Sequence, residues 1–430
     1  MVKQKFGRRV VLVDGCRIPF QRSGTGYKNL MSYDLAREVL KGLIKKADFK
    51  PANIDRIIMG TVIQEVKTGN VARDSALAAG LPHNIPAQTV TMACISSNLA
   101  ITSGIEAIQT GHADVVIAGG TDTMSDVPIR FSRKLRQKLM ESRKMKSPGD
   151  YLKLLKGISL ADIKPEIPEV AEYTTGESMG QSCDKMAAMF GISRDEQDAF
   201  AVRSHQCAEV ARRDHLFDEE LIPAMVPPNF QPITTDNGIR ADSTMEKLNK
   251  LSPAFIKPHG TITAGNASFL TDGASAVLIM SEDKAEMLGV QPKAWLKNYT
   301  YVAQDPNEEL LLGPAYAIPK VLDEAKLTLK DIDVFELHEA FAGQVLSVLH
   351  ALNSDTFARE KLGRKGKVGE IPMKKLNTMG GSLSLGHPFG ATGARLVTTA
   401  ANRLIREKGK YALVSACAAG GLGHAIILER

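Results

Sequence analysis

The chain has only five cysteines in 430 residues, at positions 16, 94, 183, 207 and 417, and none forms a Cys-x-x-Cys pair. An odd, widely spaced set excludes a disulfide framework and argues against a zinc site. A cysteine that matters here is therefore expected to matter as a thiolate. Long apolar runs are also missing. The longest charge-free stretch near the end, Ala412 to Leu428, holds three glycines and a histidine. It falls short of the roughly 20 apolar residues of a spanning helix and reads as a turn-rich buried segment. Neither a Gly-x-Gly-x-x-Gly nor a Walker loop occurs, so nothing supports nucleotide-dependent redox or phosphoryl chemistry. At the amino terminus, Val10-Val11-Leu12-Val13 is too short for the apolar core of a secretory signal and reads as a strand. Leu428-Glu429-Arg430 is not a peroxisomal address. These ends suit a bacterial-type cytoplasmic protein, or a mature mitochondrial one without its transit peptide.

What is present is the composition of a folded protein. Hydrophobic residues make up 43% and charged residues 24%, which suits a large buried core rather than a disordered or fibrous chain. The length calls for two or three domains. The net charge is +6, but Arg130 to Lys156 alone carries +8 and the remainder is slightly acidic. A nucleic-acid-binding protein is usually basic more generally. The segment instead suits docking of a partner, an anionic membrane surface or the phosphates of a ligand, with a solvated helical face as the plain alternative. Leu135, Leu139, Leu152 and Leu155 lend it some amphipathic character.

Strand and helix patterns alternate, which predicts an α/β fold. Val10 to Val13, Ile57 to Met59 and Val115 to Ala118 read as buried strands, and Leu35, Val39, Leu40, Leu43 and Ile44 recur at helical spacing. The plan then repeats: a helix around Pro319 to Ala325 leads into Ile332 to Phe335, and a later helix leads into Tyr411 to Val414. We expect two similar α/β halves, residues 1–125 with 255–290 and residues 291–430. An inserted loop domain at 126–254 is expected to act as a lid. A second insertion, about Asn353 to Lys375, reads as a surface loop.

Several residues suggest chemistry. Cys94 follows a short apolar strand and precedes the helical run Leu99 to Ile108. Near a helix N-terminus the dipole and the free N–H groups favour a thiolate; the bland reading is a small buried hydrophobe. His387 lies in the glycine-framed run Gly380 to Gly393, which permits close backbone approach and a base that reaches into a site. Cys417 ends a strand before Ala418-Ala419-Gly420-Gly421, whose amides are positioned to form an oxyanion hole; a packed strand-end thiol is the alternative. His338 and Glu339 follow the strand ending at Leu337, where open α/β sheets place ligands. The turn-dense run Gly260 to Ser268 either lines a ligand or simply joins strands.

Together these segments resemble the thiolase family over nearly the whole chain. Cys94 and its helix, the run Asn377 to Gly393, and Cys417 to Gly423 match three separated family motifs in order. Within the family, His338-Glu339-Ala340-Phe341 and Met92-Ala93-Cys94-Ile95-Ser96 look like the branch that forms the β subunit of the fatty acid β-oxidation trifunctional complex. The resemblance implies a layered helix–sheet–helix–sheet–helix fold and thiolytic cleavage of 3-ketoacyl-CoA. It implies Cys94 as nucleophile, His387 as its base, Cys417 as acid and base, and Ala419 as an oxyanion-hole donor. His338 stands where most members have an Asn that holds a water. Ser268 and Met179 are implied along the pantetheine arm and thioester, and Arg240 at the adenosine end. Coenzyme A is implied as substrate, with no permanently bound cofactor. A homodimer joined to an α subunit with hydratase and dehydrogenase activity is likewise implied, with peripheral membrane contact through 130–156. A short-chain acetoacetyl-CoA thiolase and a ketoacyl synthase-like condensing enzyme are the rival readings. Cys417 argues against the synthase, whose decarboxylating condensation needs no second thiol.

Overall fold

A computed structural model describes residues 7–150, 156–166 and 171–430. The described residues form twelve strands: β1 (Val10–Arg17), β2 (Gln21–Arg22), β3 (Arg56–Gly60), β4 (Ala87–Val90), β5 (Val115–Asp122), β6 (Ala224–Val226), β7 (Gln231–Ile233), β8 (Thr271–Ser281), β9 (Ala294–Ala303), β10 (Val334–Leu337), β11 (Tyr411–Ala418) and β12 (Leu422–Glu429). Nine of them run β10-β11-β12-β9-β1-β8-β5-β3-β4 across one sheet, with β2 paired to β8.

Apart from β4, which has no counterpart, that order is symmetric about the junction of β1 and β9. In the first half β3 pairs β5 in parallel, and β8 then runs antiparallel to both β5 and β1. In the second half β10 pairs β11 in parallel, and β12 runs antiparallel to β11 and β9. The two halves are joined through Val11 opposite Trp295 and Leu12 opposite Ala294. The duplicated α/β architecture expected from the repeated sequence plan is therefore present.

Strand residues alternate between cores, because successive side chains face opposite sides of a sheet. Val10 and Leu12 of β1, Val116 and Ala118 of β5, Val414 of β11 and Ile426 of β12 join one cluster with the helices Ser96–Gln109 and Thr392–Arg406. Their neighbours Val11, Val13, Val115 and Ile117 face a second cluster with the helix Ser32–Lys46. Leu413, Ala425 and Ile427 face a third with the helices Gly313–Ala325 and Ala342–Leu352. The layering is helix, sheet, helix, sheet, helix. Both sheet faces are covered, so the strands read as continuous apolar runs. Each fully buried Val, Ile or Leu contributes about 1.5–3 kcal/mol.

Between β5 and β8 lie the helices Met179–Met189 and Arg194–Arg213, each opened by a capping box, Ser178 with Gln181 and Ser193 with Glu196. Cys183, Met186, Phe200 and Val202 pack them onto the second half. The basic segment forms the helix Arg133–Glu141, which buries no residue; Leu152 and Leu155 lie outside the described residues.

One local expectation is met and one needs correction. The helix expected around Pro319 to Ala325 is present as Gly313–Ala325, with Pro314 in the first turn and Pro319 carried inside it. The region expected as a surface loop from 353 contains the helix Asp355–Glu360. Ser354 caps it, and it buries Phe357 and Ala358 against the core.

Candidate active site

Cys94 lies between β4 and the Ser96–Gln109 helix, next to Ala93, whose φ of 45° puts the backbone in the left-handed region. Ser96 holds the loop: its hydroxyl accepts from the Met92 N–H at 2.8 Å and donates to the Ala93 carbonyl at 2.7 Å. Cys94 keeps partial solvent access, whereas Cys417 is buried. The depressed pKa expected at the helix end is not found. Burial pushes the Cys94 thiol up to about 11, against the Ala419 N–H and its own N–H, which favour the thiolate; the Asp122 charge adds to the rise. Desolvation outweighs the two N–H groups that favour the thiolate, so the thiol needs a base.

Two imidazoles face one another with ring centroids 4.1 Å apart, His338 at 1% exposure and His387 at 3%. His387 Nδ1 is 2.6 Å from Thr392 Oγ1, and that hydroxyl gives its hydrogen to the Pro388 carbonyl at 3.0 Å. Thr392 is thus left to accept from Nδ1–H, and His387 Nε2 carries the lone pair. His338 Nδ1 is 3.1 Å from Ser382 Oγ. Arg395 Nη2 donates to the same oxygen at 3.2 Å, so the Ser382 hydroxyl hydrogen is free to point at His338 Nδ1. His338 then carries its proton on Nε2. Neither Nε2 has a partner among the described residues. One acceptor and one donor thus stand side by side. Burial, with the positive charge of Arg395, lowers the His387 pKa to about 3, and burial, His387 and Arg395 lower that of His338 well below its ordinary value. Both rings are uncharged at neutral pH.

Cys417 sits in β11, and Ala419 begins the turn into β12. Burial raises the Cys417 thiol, and the nearby Cys94 raises it further. Ala419 keeps an ordinary φ because the positive values of this turn fall on Gly420 (84°) and Gly421 (66°). An alanine therefore supplies the N–H aimed at Cys94 without strain.

The loops of Cys94 and His387 meet on backbone. A Cβ on Gly60 would come within 2.5 Å of Ser96, and one on Gly390 within 2.7 Å of the Gly60 carbonyl. Asp122, at the end of β5, accepts from the amides of Val62, Ile63 and Gly390 at 2.5–3.1 Å and from Thr61. Burial lifts its pKa to about 6 against these bonds. Glu339 turns away from the imidazoles: it accepts from Asn377, Ser204 and the Leu383 amide, and so anchors the loop before His387.

The structure brings Cys94, Cys417 and Ala419 together and sets His338 and His387 face to face. The two groups are joined where the His338 backbone N–H donates to the Ser415 carbonyl at 2.9 Å, two residues before Cys417. Ser268 lies alongside, its N–H on the Ala340 carbonyl at 2.9 Å. Met179 packs at the start of its helix on the same core as Phe341. Arg240 is exposed, some way along the rim, its N–H on His205 Nδ1 at 3.1 Å. The sequence reading missed Asp122, Thr392, Ser382 and Arg395. Thr392 and Ser382 each stand five positions from His387, inside the glycine-framed run, and a hydroxyl there was the available signal. It also missed Arg22, whose guanidinium lies 3.9 Å over the Phe269 ring. The side chains of Arg22 and Arg240 have no acceptor among the described residues, and each charge is felt by His205.

A duplicated α/β fold with two thiols and two uncharged imidazoles at one place belongs to the acyl-transferring enzymes that work through cysteine. Comparison with known proteins makes this specific: the thiolase N-terminal domain matches residues 10–283 and the thiolase C-terminal domain residues 290–430. The chain belongs to the thiolase family. It is 56% identical over 425 residues to the mitochondrial trifunctional enzyme subunit beta of Bos taurus, covering 98% of this chain and 88% of that protein. It is 44% identical over 423 residues to a 3-ketoacyl-CoA thiolase of Yersinia enterocolitica, covering 98% and 97%. Human mitochondrial 3-ketoacyl-CoA thiolase, whose structure is also known in complex with CoA, superposes with a TM-score of 0.84 at 32% identity over 98% of both chains.

Proposed function

We propose that this chain is a 3-ketoacyl-CoA thiolase of fatty acid β-oxidation. It cleaves 3-ketoacyl-CoA with CoA to acetyl-CoA and a shortened acyl-CoA through an acyl-enzyme on Cys94. The observation that carries the reading is the pair of neutral imidazoles beside two thiols. His387 Nε2 takes the Cys94 proton, and the thiolate attacks the 3-keto carbon. The N–H groups of Cys94 and Ala419 receive the oxyanion. The Cα–Cβ bond breaks, its electron pair passing to an acetyl-CoA enolate whose oxygen accepts from His338 Nε2–H. Cys417 gives its proton to the enolate carbon. The Cys417 thiolate then takes the CoA proton, CoA attacks the acyl group, and Cys94 leaves and recovers its proton from His387. The Cys94 proton returns from His387, and the proton that Cys417 gives to acetyl-CoA is replaced by that of the CoA thiol. Only the resting His387 has to be neutral, since a charged ring has no lone pair for the Cys94 proton.

For CoA, Ser268 and Met179 line the pantetheine arm and thioester. The unpaired guanidinium groups of Arg22 and Arg240 suit its phosphates, with Phe269 between them and the site. CoA is substrate, not a resident cofactor. A second copy of the chain is the expected partner. β4 ends the sheet, and its free edge next to Cys94 is a ready template for pairing. An α subunit is the further partner by similarity to the trifunctional β chains. In and just before the basic segment, Ile129, Phe131, Leu139 and Met140 are 43–60% exposed beside the lysines and arginines. That pattern supports peripheral membrane contact. Among the described residues no helix is long and apolar enough to cross a membrane. The compartment we propose is the mitochondrion for a eukaryotic source and the cytoplasm for a bacterial one.

The test is thiolysis across 3-ketoacyl-CoA chain lengths, with Cys94→Ala and Cys417→Ala beside wild type. Cleavage of long chains with both variants inactive is expected. Cleavage of acetoacetyl-CoA alone makes it a short-chain enzyme. An active Cys417→Ala overturns the two-thiol mechanism.

A further inference from the structure

The turn that carries the Ala419 amide is weakly built by its own residues. Gly420 and Gly421 both have positive φ, and nothing but Leu422, at 3.8 Å, would touch a Cβ on Gly420. Gly420 is exposed and conformationally loose, whereas Gly421 is buried against the Gln304 carbonyl, which a Cβ there would strike. On one side the Gly421 carbonyl accepts from the Gln304 N–H at 2.8 Å. On the other the Gly420 N–H donates to Glu172 Oε2 at 2.6 Å. Glu172 comes from a different part of the chain, the insertion between β5 and β8, and is 9% exposed. It is itself fixed. Its Oε1 accepts from Thr174 Oγ1 at 3.0 Å, its N–H bonds the Glu177 carbonyl at 2.8 Å, and its carbonyl accepts from the Gly176 N–H at 2.8 Å. This small closed loop leads directly into the helix that begins at Met179.

We infer that Glu172 is a positioning residue of the thiolase reaction: its carboxylate fixes the Ala419–Gly421 turn and ties it to the segment that presents Met179. The inference rests on the function proposed above. The charge itself does not help the chemistry, since a carboxylate beside the turn opposes both a Cys94 thiolate and an oxyanion. What the side chain supplies is a short, charge-assisted hydrogen bond that sets the orientation of the peptide next to the Ala419 N–H. A misplaced donor loses much of its worth in the transition state.

The experiment compares Glu172→Ala with Glu172→Gln in thiolysis and in the pH dependence of Cys94 alkylation by iodoacetamide. Both variants lose the charge, and only the alanine loses the acceptor. We expect kcat to fall about tenfold to a hundredfold in Glu172→Ala, with KM for CoA within about threefold. Glu172→Gln is expected to recover most of that loss. The alkylation midpoint is expected at higher pH in Glu172→Ala than in Glu172→Gln. If Glu172→Ala does not fold, Glu172→Asp, which withdraws the oxygen while keeping the charge, is expected to show the same loss of kcat. Equal kcat in the alanine and glutamine variants, or an alanine variant within twofold of wild type, overturns the inference. Wild type without thiolysis would overturn the proposed function instead, and the alkylation comparison would still judge Glu172.

Discussion

His338 and His387 are the same side chain held for opposite tasks, and one hydroxyl beside each decides which. Thr392 must accept from His387, because its own hydrogen goes to the Pro388 carbonyl; Ser382 is free to donate to His338, because Arg395 takes one of its two lone pairs and leaves its hydrogen unused. We predict that Ser382→Ala lowers kcat about tenfold by releasing the orientation and tautomer of His338. His338→Ala, which removes the donor outright, should cost about a hundredfold. The double variant should be no slower than His338→Ala, because Ser382 acts through His338. Thiolysis rates of the three variants check this, and additive losses would show that Ser382 acts by another route.

At the scale of elements, the site is made by loops pressed together on backbone. A Cβ on Gly390 would lie 2.7 Å from the Gly60 carbonyl and 2.8 Å from that of Thr121, and strands β3 and β5 cannot yield there. Gly390→Ala should therefore push the His387 loop outward, destabilise the fold by about 1–3 kcal/mol and lower kcat roughly a hundredfold. Gly69→Ala, with open space at its Cβ, serves as the control that leaves both unchanged. Melting curves and thiolysis measure the pair. The glycine pattern around His387 was legible in the sequence for this reason: steric crowding leaves glycines behind, and they frame the histidine. Cys94 and Cys417 were legible too, as thiols at the junctions of strand, turn and helix. Asp122, Arg395, Arg22 and Glu172 were not. Each acts through a partner far away in sequence, such as Asp122 on Gly390 or Glu172 on Gly420, and local pattern holds no trace of such pairs. Nor could local pattern weigh the burial that raises the Cys94 thiol against the helix end that lowers it.

Over the whole molecule, the duplicated plan was readable because strands buried on both faces are continuously apolar, so Val10 to Val13 and Tyr411 to Val414 stood out alike. Which faces meet at the central helix layer was not readable, since alternate residues of one apolar run enter different cores. His387 and His424 are buried, as is His205 on the helix Arg194–Arg213. Burial lowers His424 to about 3, as it does His387 together with Arg395, and His205 falls to about 4 through burial and the charges of Arg240 and Arg22. In the unfolded chain each returns to about 6.5. Between that value and the folded one the unfolded chain binds protons that the native state does not, so stability rises with pH across the window. The contribution is complete above about pH 6.5 and is lost as pH falls toward 3, by up to about 1.4 kcal/mol per pH unit for each group. Asp122, raised to about 6 by burial, works in the opposite sense, so a single group must be isolated. His424 is the suitable one: its Nδ1 lies 3.1 Å from Asn98 Nδ2 and its ring 4.7 Å from that of Tyr301. Asparagine there can still accept from Asn98 but cannot titrate. We predict that His424→Asn has a shallower loss of urea midpoint between pH 7.5 and 5.5 than wild type. An unchanged slope would mean that His424 takes up its proton in the folded chain as readily as in the unfolded one.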